Sequence, residues 1–241
     1  MIEGLLLGTV KENYDADHPG MLKVTLPALG VEGDETFWAR MTTPYAGKDY
    51  GSYFLPEIGD AVVVGFIGGD PQSPVVLGCF WHSTNTLPAD TVTEKNEQKA
   101  IITKGGNSIL ITDGDEGGVT VKTKAGHSIA ISDKDKTIIV STSDGKNSIT
   151  MNEDNSTVDI ISGDKLNIKA KEILIEGKTT IKGSDITAEA DSGLTLKGKT
   201  VKMEGNSTKI SGQTLEATGS GSVKVESSAM LTLKGSLTKI N

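Results

Sequence analysis

Three nearly identical stretches of sequence decide the fold: GNSILITD at 106–113, GHSIAISD at 126–133 and KNSITMNE at 146–153. Their serines lie 20 residues apart, and each serine is followed by isoleucine and, two residues later, by a second apolar side chain. Repetition at a fixed period is typical of stacked architectures, in which each unit buries its apolar face on a neighbour. The three stretches therefore predict a repeated structural unit.

A second strand follows each copy: GVTVKT at 118–123, TIIVST at 137–142 and TVDIIS at 157–162. Each 20-residue unit thus holds two strands, in which apolar and polar residues alternate, and two polar turns. We predict that residues 105–163 are 20-residue β repeats that open a β-helix.

From residue 164 the period shortens to seven or eight residues, with Gly, Ser, Asn or Asp usually lying between apolar pairs. A single chain coiled as a β-helix would need caps at both ends, and no amphipathic capping helix is visible. Three intertwined chains pair every strand with partner strands and place small aliphatic side chains on one axis. We expect 164–241 to form the regular, intertwined β-helix of a homotrimer, with this core stripe: Leu166, Ile168, Ile173, Ile175, Leu194, Leu196, Val201, Met203, Val223, Val225, Leu231 and Leu233.

Composition separates the first 88 residues from the rest. All ten aromatic residues lie between Tyr14 and Trp81, and all seven prolines lie between Pro19 and Pro88. Residues 1–88 hold 4 basic and 11 acidic side chains, whereas residues 164–241 hold 12 basic and 9 acidic ones. We predict one domain over 1–88 and a connector over 89–104. The basic excess of the last part is small and scattered, which argues against nucleic-acid binding.

The first domain consists of short strands separated by turn signals: strands are predicted at 4–11, 21–29, 37–41, 61–67 and 74–80. The sequence GGDPQSP at 68–74 places Gly and Pro where a hairpin turn needs them. About five strands in this length, with no helical period, indicate a small closed barrel.

Four motifs in this domain carry a family resemblance: WAR at 38–40, PYAG at 44–47, PEIGDAVVV at 56–64 and GDPQSPVVLG at 69–78. In this order they resemble the OB-fold domain of contractile-tail spike proteins, which include phage baseplate spikes and the VgrG proteins of type VI secretion and related injection systems. The resemblance implies an all-β fold, with an N-terminal OB-fold barrel followed by an intertwined, triple-stranded trimeric β-helix.

The same resemblance implies partners. A baseplate hub protein would contact the barrel end; it is either a separate protein or a part of a longer chain that precedes this sequence. A small, conical PAAR-type tip protein would seat on the blunt end of the β-helix. The docking edge for the tip would be formed by the last five residues, Leu237, Thr238, Lys239, Ile240 and Asn241.

The sequence offers no catalytic, cofactor-binding or metal site that we would assign. His127 takes the position that Asn107 and Asn147 hold in the sister repeats, so a turn role is expected. Spikes of the resembling family sometimes bind iron through a His-x-His pair near the tip, and this sequence has no such pair. The abundant carboxylates fall in turns, where Asp is favoured for backbone reasons; a glycosidase pair among them is the enzymatic alternative. We expect no enzyme activity.

The expected function is mechanical: a structural central spike that pierces a target envelope while it carries a tip protein or effector. No signal peptide is visible, so we expect synthesis in the cytoplasm, assembly into a phage tail or injection particle, and transient contact with the target membrane. A carbohydrate-binding or adhesin-like β-helix is the main rival, but no aromatic residue follows Trp81 to stack on sugars. A monomeric OB-fold module on a solenoid stalk is the second rival.

Overall fold

The computed structural model describes residues 2–29, 35–88, 91–237 and 239. Among these residues the regular structure is almost entirely β. The helical turns are three 3₁₀ segments of three residues each, Pro27–Leu29, Ile67–Gly69 and Gly114–Glu116. The chain divides into two compact units, Met1–Lys169 and Ala170–Asn241, and every assigned strand lies in the first unit.

Five strands close into a barrel in the order β1-β2-β3-β7-β6. They are β1 (Leu6–Glu12), β2 (Met21–Thr25), β3 (Thr36–Met41), β6 (Ala61–Phe66) and β7 (Pro74–Cys79). Strands β3 and β7 pair in parallel, and the other neighbours are antiparallel. Two short strands, β4 (Ala46–Gly47) and β5 (Tyr50–Gly51), form a separate hairpin between β3 and β6. The predicted closed barrel is confirmed.

The barrel core is aliphatic, because every second residue of its strands points inward. Leu22 and Val24 on β2 and Val62 and Val64 on β6 follow this alternation. The buried core consists of Val10, Leu22, Val24, Leu26, Ala39, Val62, Val64 and Val76. The aromatic residues lie outside it: Phe37 and Phe66 pack against its edge, whereas Tyr14, Tyr45, Tyr50, Tyr53, Phe54 and Trp81 are exposed.

The 20-residue repeats form one seven-stranded antiparallel sheet in which each strand pairs with its neighbours in sequence. Its strands are β8 (Gln98–Ile102), β9 (Ser108–Thr112), β10 (Gly118–Lys122), β11 (Ser128–Ser132), β12 (Thr137–Ser141), β13 (Ser148–Asn152) and β14 (Thr157–Ile161). Each repeat is therefore one pair of adjacent strands with its two turns. Strand β8 lies inside the segment predicted as the connector, 89–104.

The chain after β14 has a different character. No strand is assigned in the described part of 162–237, and its backbone groups make no hydrogen bonds with one another there. The segment is irregular and interrupted by bends, and from Asp164 onward its described side chains are exposed. Because a β-helix requires paired strands, the one predicted over 164–241 stays a prediction.

Candidate functional site

One face of the seven-stranded sheet carries two continuous rows of apolar side chains, which we call the apolar face. The strand register places the members of each row directly opposite one another. The first row contains Ile101, Ile109, Val121, Ile129, Val140, Ile149 and Ile160. The second row contains Ile111, Val119, Ile131, Ile138, Met151 and Val158, and Lys99 occupies its first position on β8.

The apolar face is open to solvent in the single chain. Val119 is half-buried, and the other apolar side chains of the two rows range from 39% exposed at Ile109 to 64% exposed at Val158. A soluble protein rarely leaves a contiguous apolar patch larger than a few hundred Å² uncovered. Burying the exposed part of each side chain would contribute about 1 kcal/mol. With a dozen such side chains, a partner that covers this face would add substantial stability, so the face is a candidate interface.

The opposite face of the same sheet is mostly polar. Its outer positions are mostly serines, threonines and other polar residues, such as Ser108 and Thr112 on β9, with Ile102 and Ile161 at the two ends of one row. The hydroxyls of Ser128 and Ser141 lie 3.1 Å apart. The central row of this face is mixed and includes Leu110 and Ile139 among alanine and threonine residues. The sheet is therefore amphipathic, and in β9, β11, β12 and β13 its mostly polar face is half-buried while its apolar face is exposed.

The first strand of the sheet lies beside the barrel. Ile101 of the apolar face and Ile102 of the opposite face line one hollow together with Tyr53, Phe54 and Leu55 from the segment between β5 and β6. An exposed ion pair between Lys104 Nζ and Glu57 Oε2, at 3.3 Å, also joins the first turn of the sheet to the barrel. Polar side chains line the same hollow, among them Asn13 and Asp60.

Turns at one edge of the sheet are linked by a repeated hydrogen bond. The backbone N–H of Lys124 donates to Asn107 Oδ1 at 3.1 Å, and that of Gly163 donates to Asn147 Oδ1 at 3.2 Å. Between them, the N–H of Ser143 donates to His127 Nδ1 at 3.2 Å. His127 therefore holds the same structural position as the two asparagines, as an acceptor for the next turn.

Ion pairs link turns at the opposite edge. Lys99 Nζ lies 2.6 Å from Asp113 Oδ2, and Lys136 Nζ lies 2.6 Å from Asp154 Oδ1. The hydrogen bond to Asp154 and its charge raise the pKa of Lys136, and Glu116 raises the pKa of Lys134 in the same way. All of these groups are exposed, so water and salt screen the pairs and leave them a minor role.

The predicted core stripe of the C-terminal segment is solvent-exposed. Its twelve side chains range from 54% exposed at Ile173 and Leu231 to 71% exposed at Leu233. Of the predicted tip-docking edge, Leu237 and Lys239 are exposed, and Thr238, Ile240 and Asn241 lie outside the described residues. The described part of this segment supplies no strand to cover the stripe.

Potential catalytic and metal-binding groups do not converge. Among the described residues, no three His, Cys, Asp or Glu side chains are arranged to hold a metal ion. His18 stacks on Trp38 with ring centroids 4.4 Å apart, and its Nδ1 lies 2.9 Å from Asp15 Oδ1. Burial, together with the charge of Asp60, raises the pKa of the Cys79 thiol, which is opposite to the shift that activates a cysteine nucleophile.

Within the described residues, no helix has the length and apolar character needed to span a membrane.

Comparison with known proteins shows which proteins the barrel resembles. Residues 6–81 match the type VI secretion system/phage-baseplate injector OB domain. The chain is 38% identical over 87 residues to the type VI secretion system spike protein VgrG5 of Pseudomonas aeruginosa, a match that covers 35% of this chain and 11% of that protein. It is 33% identical over 94 residues to the spike protein VgrG3 of Vibrio cholerae (36% of this chain, 9% of that protein).

A third relative, the actin cross-linking toxin VgrG1 of Vibrio cholerae, is 34% identical over 95 residues, which is 36% of this chain and 9% of the toxin. The chain thus spans about a tenth of the length of each of these curated relatives. The expected likeness to VgrG-type baseplate spike proteins is confirmed, and it rests on the barrel.

Proposed function

We propose that this chain is the structural central spike of a contractile tail or injection machine, as a homotrimer that pierces a target envelope and carries a tip protein or effector. The observation that carries the proposal is the apolar face of the repeat sheet. Its first row crosses all seven strands and its second row crosses six, yet the described residues of this chain leave most of the face exposed. The likeness of the barrel to spike proteins of type VI secretion systems names the kind of machine.

Three copies would cover this face completely in a closed, symmetric assembly. An amphipathic sheet is stable only when its apolar face is packed. Three equivalent sheets around one axis would bury all three faces against one another, and closed symmetry leaves no further apolar surface to recruit more copies. The mostly polar opposite faces would then form the outer surface of the prism.

The C-terminal segment requires partners of the same kind. Its core-stripe side chains are exposed, and within the described part of the segment its backbone groups make no hydrogen bonds with one another. Ordering a residue costs roughly 1–2 kcal/mol of backbone entropy, which burial and hydrogen bonding must offset. Strands from two other copies would supply both, and the result is the intertwined β-helix that we propose for 164–241.

The mechanical role follows from intertwining. In a three-chain β-helix, each local opening breaks hydrogen bonds to both partner chains, so the rod resists bending and compression. The force for puncture would come from contraction of a sheath. We assign no catalytic step to the chain, because its titratable side chains stabilise turns or pair on the surface.

The remaining partners are proposals that rest on the family likeness. A hub protein would bind the barrel end, and a PAAR-like protein would dock on Leu237, Thr238, Lys239, Ile240 and Asn241. The spike would be made in the cytoplasm, be assembled into the particle and touch the target membrane only during delivery.

A genetic replacement tests the function. We expect deletion of the chain from the contractile particle of its own source to abolish delivery to target cells. Wild-type protein should restore delivery, and so should Ile139→Asn on the polar face, whereas Ile138→Asn on the apolar face should not. Normal sheath assembly and delivery without the chain would overturn the proposal. Loss of target-cell adhesion alone, with intact contraction, would favour the carbohydrate-binding adhesin.

A truncation tests the docking edge separately. A chain that ends at Ser236 retains the whole predicted core stripe and lacks the five docking residues. We expect this variant to keep the mass of the full-length assembly and to lose binding of a PAAR-type protein from the same source, measured by co-purification. Retention of that protein by the truncated chain would place the docking site elsewhere.

A further inference from the structure

We propose that His127 makes the middle of the repeat sheet sensitive to pH. Neutral His127 fastens the turn at 142–147 to the turn at 123–127, and protonation of its ring releases that link. The proposal concerns the sheet itself and does not depend on the proposed function.

The first argument is the equivalence of three positions. Asn107, His127 and Asn147 each follow a turn that begins with threonine, and the threonine N–H donates to the carbonyl of the Asn or His at 2.9–3.0 Å. In each case the side chain then accepts a hydrogen bond from the backbone of the next turn, at 3.1–3.2 Å. The same link is thus built three times, with a titratable acceptor only in the middle.

The second argument is the chemistry of the acceptor. An asparagine Oδ1 accepts hydrogen bonds at any pH that the protein meets. An imidazole accepts through Nδ1 only while that nitrogen carries no proton, which places the ring hydrogen on Nε2 in this arrangement. When the ring is protonated, both nitrogens become donors, and Nδ1–H then faces the N–H of Ser143. The link is therefore present at neutral pH and is lost as the pH falls.

The surrounding charges leave histidine as the group that changes. The titratable side chains of the adjoining turns are Lys124 beside His127, Lys104 in the preceding turn, and Asp144 and Lys146 in the following one. Lys104 pairs with Glu57, and Lys146 lies 3.7 Å from Asp144. A hydrogen bond from Thr142 and the backbone N–H of Lys146 lower the pKa of Asp144, so its charge persists in mild acid. Among these residue types, histidine is the one whose ordinary titration lies between pH 5 and 8.

The expected effect is local. The Ser143–His127 hydrogen bond is exposed, so it belongs at the weak end of the range for protein hydrogen bonds. Its loss should raise the opening equilibrium of the turn at 142–147 roughly two- to fivefold. The two turns linked by asparagine should not change, because their acceptors do not titrate.

Amide hydrogen exchange in the full-length protein tests this directly. Protection factors of the Ser143, Lys124 and Gly163 amides are measured at pH 7 and pH 5, after correction for intrinsic exchange rates. We expect protection of Ser143 to fall roughly two- to fivefold at pH 5 while the other two amides stay constant. The Asn-linked amides serve as controls inside the same molecule.

Variants complete the test. His127→Asn should hold Ser143 protection constant between the two pH values, and it copies a residue that the sheet already tolerates at the same position. His127→Ala should lower the protection of Ser143 at both pH values. The proposal is overturned if Ser143 protection in the wild type does not depend on pH, if it falls equally in His127→Asn, or if all three amides lose protection together. If His127→Ala does not fold, the comparison of wild type with His127→Asn decides alone.

Discussion

Ile138 and Ile139 are adjacent isoleucines of β12 that point to opposite faces of the repeat sheet, and they provide a matched pair of substitutions. Ile138 lies in the second row of the apolar face, between Ile131 and Met151. Ile139 lies on the mixed, mostly polar face, between Ala130 and Thr150. Replacing each with asparagine makes the same chemical change one residue apart.

The two replacements should differ strongly in cost if the apolar face is an interface. Ile138→Asn would remove a packed aliphatic side chain, at about 2–5 kcal/mol for a comparable truncation, and place an amide among aliphatic neighbours. An unsatisfied amide adds about 1–3 kcal/mol. In a trimer this cost arises three times. Ile139 is half-buried beside Ala130 and Thr150, on the face that lies outside the proposed interface. Ile139→Asn should therefore cost only packing within one sheet, about 1–2 kcal/mol, and leave the contacts between copies unchanged.

The assay is resistance of the assembly to SDS without boiling, combined with denaturant unfolding of each variant. We expect Ile139→Asn to keep the SDS-resistant species with a modest loss of stability, and Ile138→Asn to lose that species. If the apolar face faced water, Ile138→Asn would change stability by no more than about 0.5 kcal/mol, as surface substitutions do. Equal behaviour of the two variants would therefore refute the assignment of this face.

Three further predictions follow from other parts of the chain. Leu196→Asn, in the core stripe, should cost about 3 kcal/mol per chain through lost packing and an unpaired amide, and it should abolish SDS resistance. Gly118→Ala should lower the thermal midpoint by several degrees, because its Cβ would lie 2.4 Å from the carbonyl oxygen of Ile131 and push β10 from β11, a strain of about 1–3 kcal/mol. The pKa of Asp15 is lowered chiefly by the hydrogen bond from His18. Ionised Asp15 should therefore stabilise its turn at pH values above the ordinary aspartate pKa of about 3.9. That stabilisation should be lost as the pH falls through the lowered folded-state pKa. A change in the fluorescence of Trp38 should report the loss.

Each of these predictions has its own control. Thr195→Asn introduces the same asparagine on the outward side of the proposed strand and should leave SDS resistance intact. Gly78→Ala is also a strand glycine, with no atom within 4 Å of the added carbon, and its thermal midpoint should be nearly unchanged. For the acid transition, a Trp81→Phe background isolates Trp38, and Asp15→Asn should remove the transition. A transition of the same size in Asp15→Asn would rule out Asp15 as its origin.

The barrel was predictable from the sequence because turn residues separate its strands. Pro and Gly mark the hairpin at 68–74, and the alternation in 61–67 matches the buried Val62 and Val64 of β6. Strand β8 was missed, since the apolar pair Ile101–Ile102 precedes the first clear repeat. A signal did exist: TKGGNS at 103–108 is nearly the same as TKAGHS at 123–128, so a strand should end before it.

The site was predictable in its residues and not in its arrangement. The spacing of Ser108, Ser128 and Ser148 identifies the repeats, but only the register shows that their isoleucines form two unbroken rows. The link from His127 to Ser143 could not be foreseen, because it depends on how closely two turns stack. The C-terminal pattern predicts strands for which the described residues of one chain supply no pairing, and we propose that their partners lie in other chains.

The number of chains in the assembly tests the central claim most directly. Light scattering on the purified full-length protein gives its absolute mass in solution. A trimer built on the apolar face and the core stripe predicts a mass about three times the 25.3 kDa of one chain, independent of concentration over the measured range. A monodisperse species at 25.3 kDa would contradict the shared interface and, with it, the piercing spike.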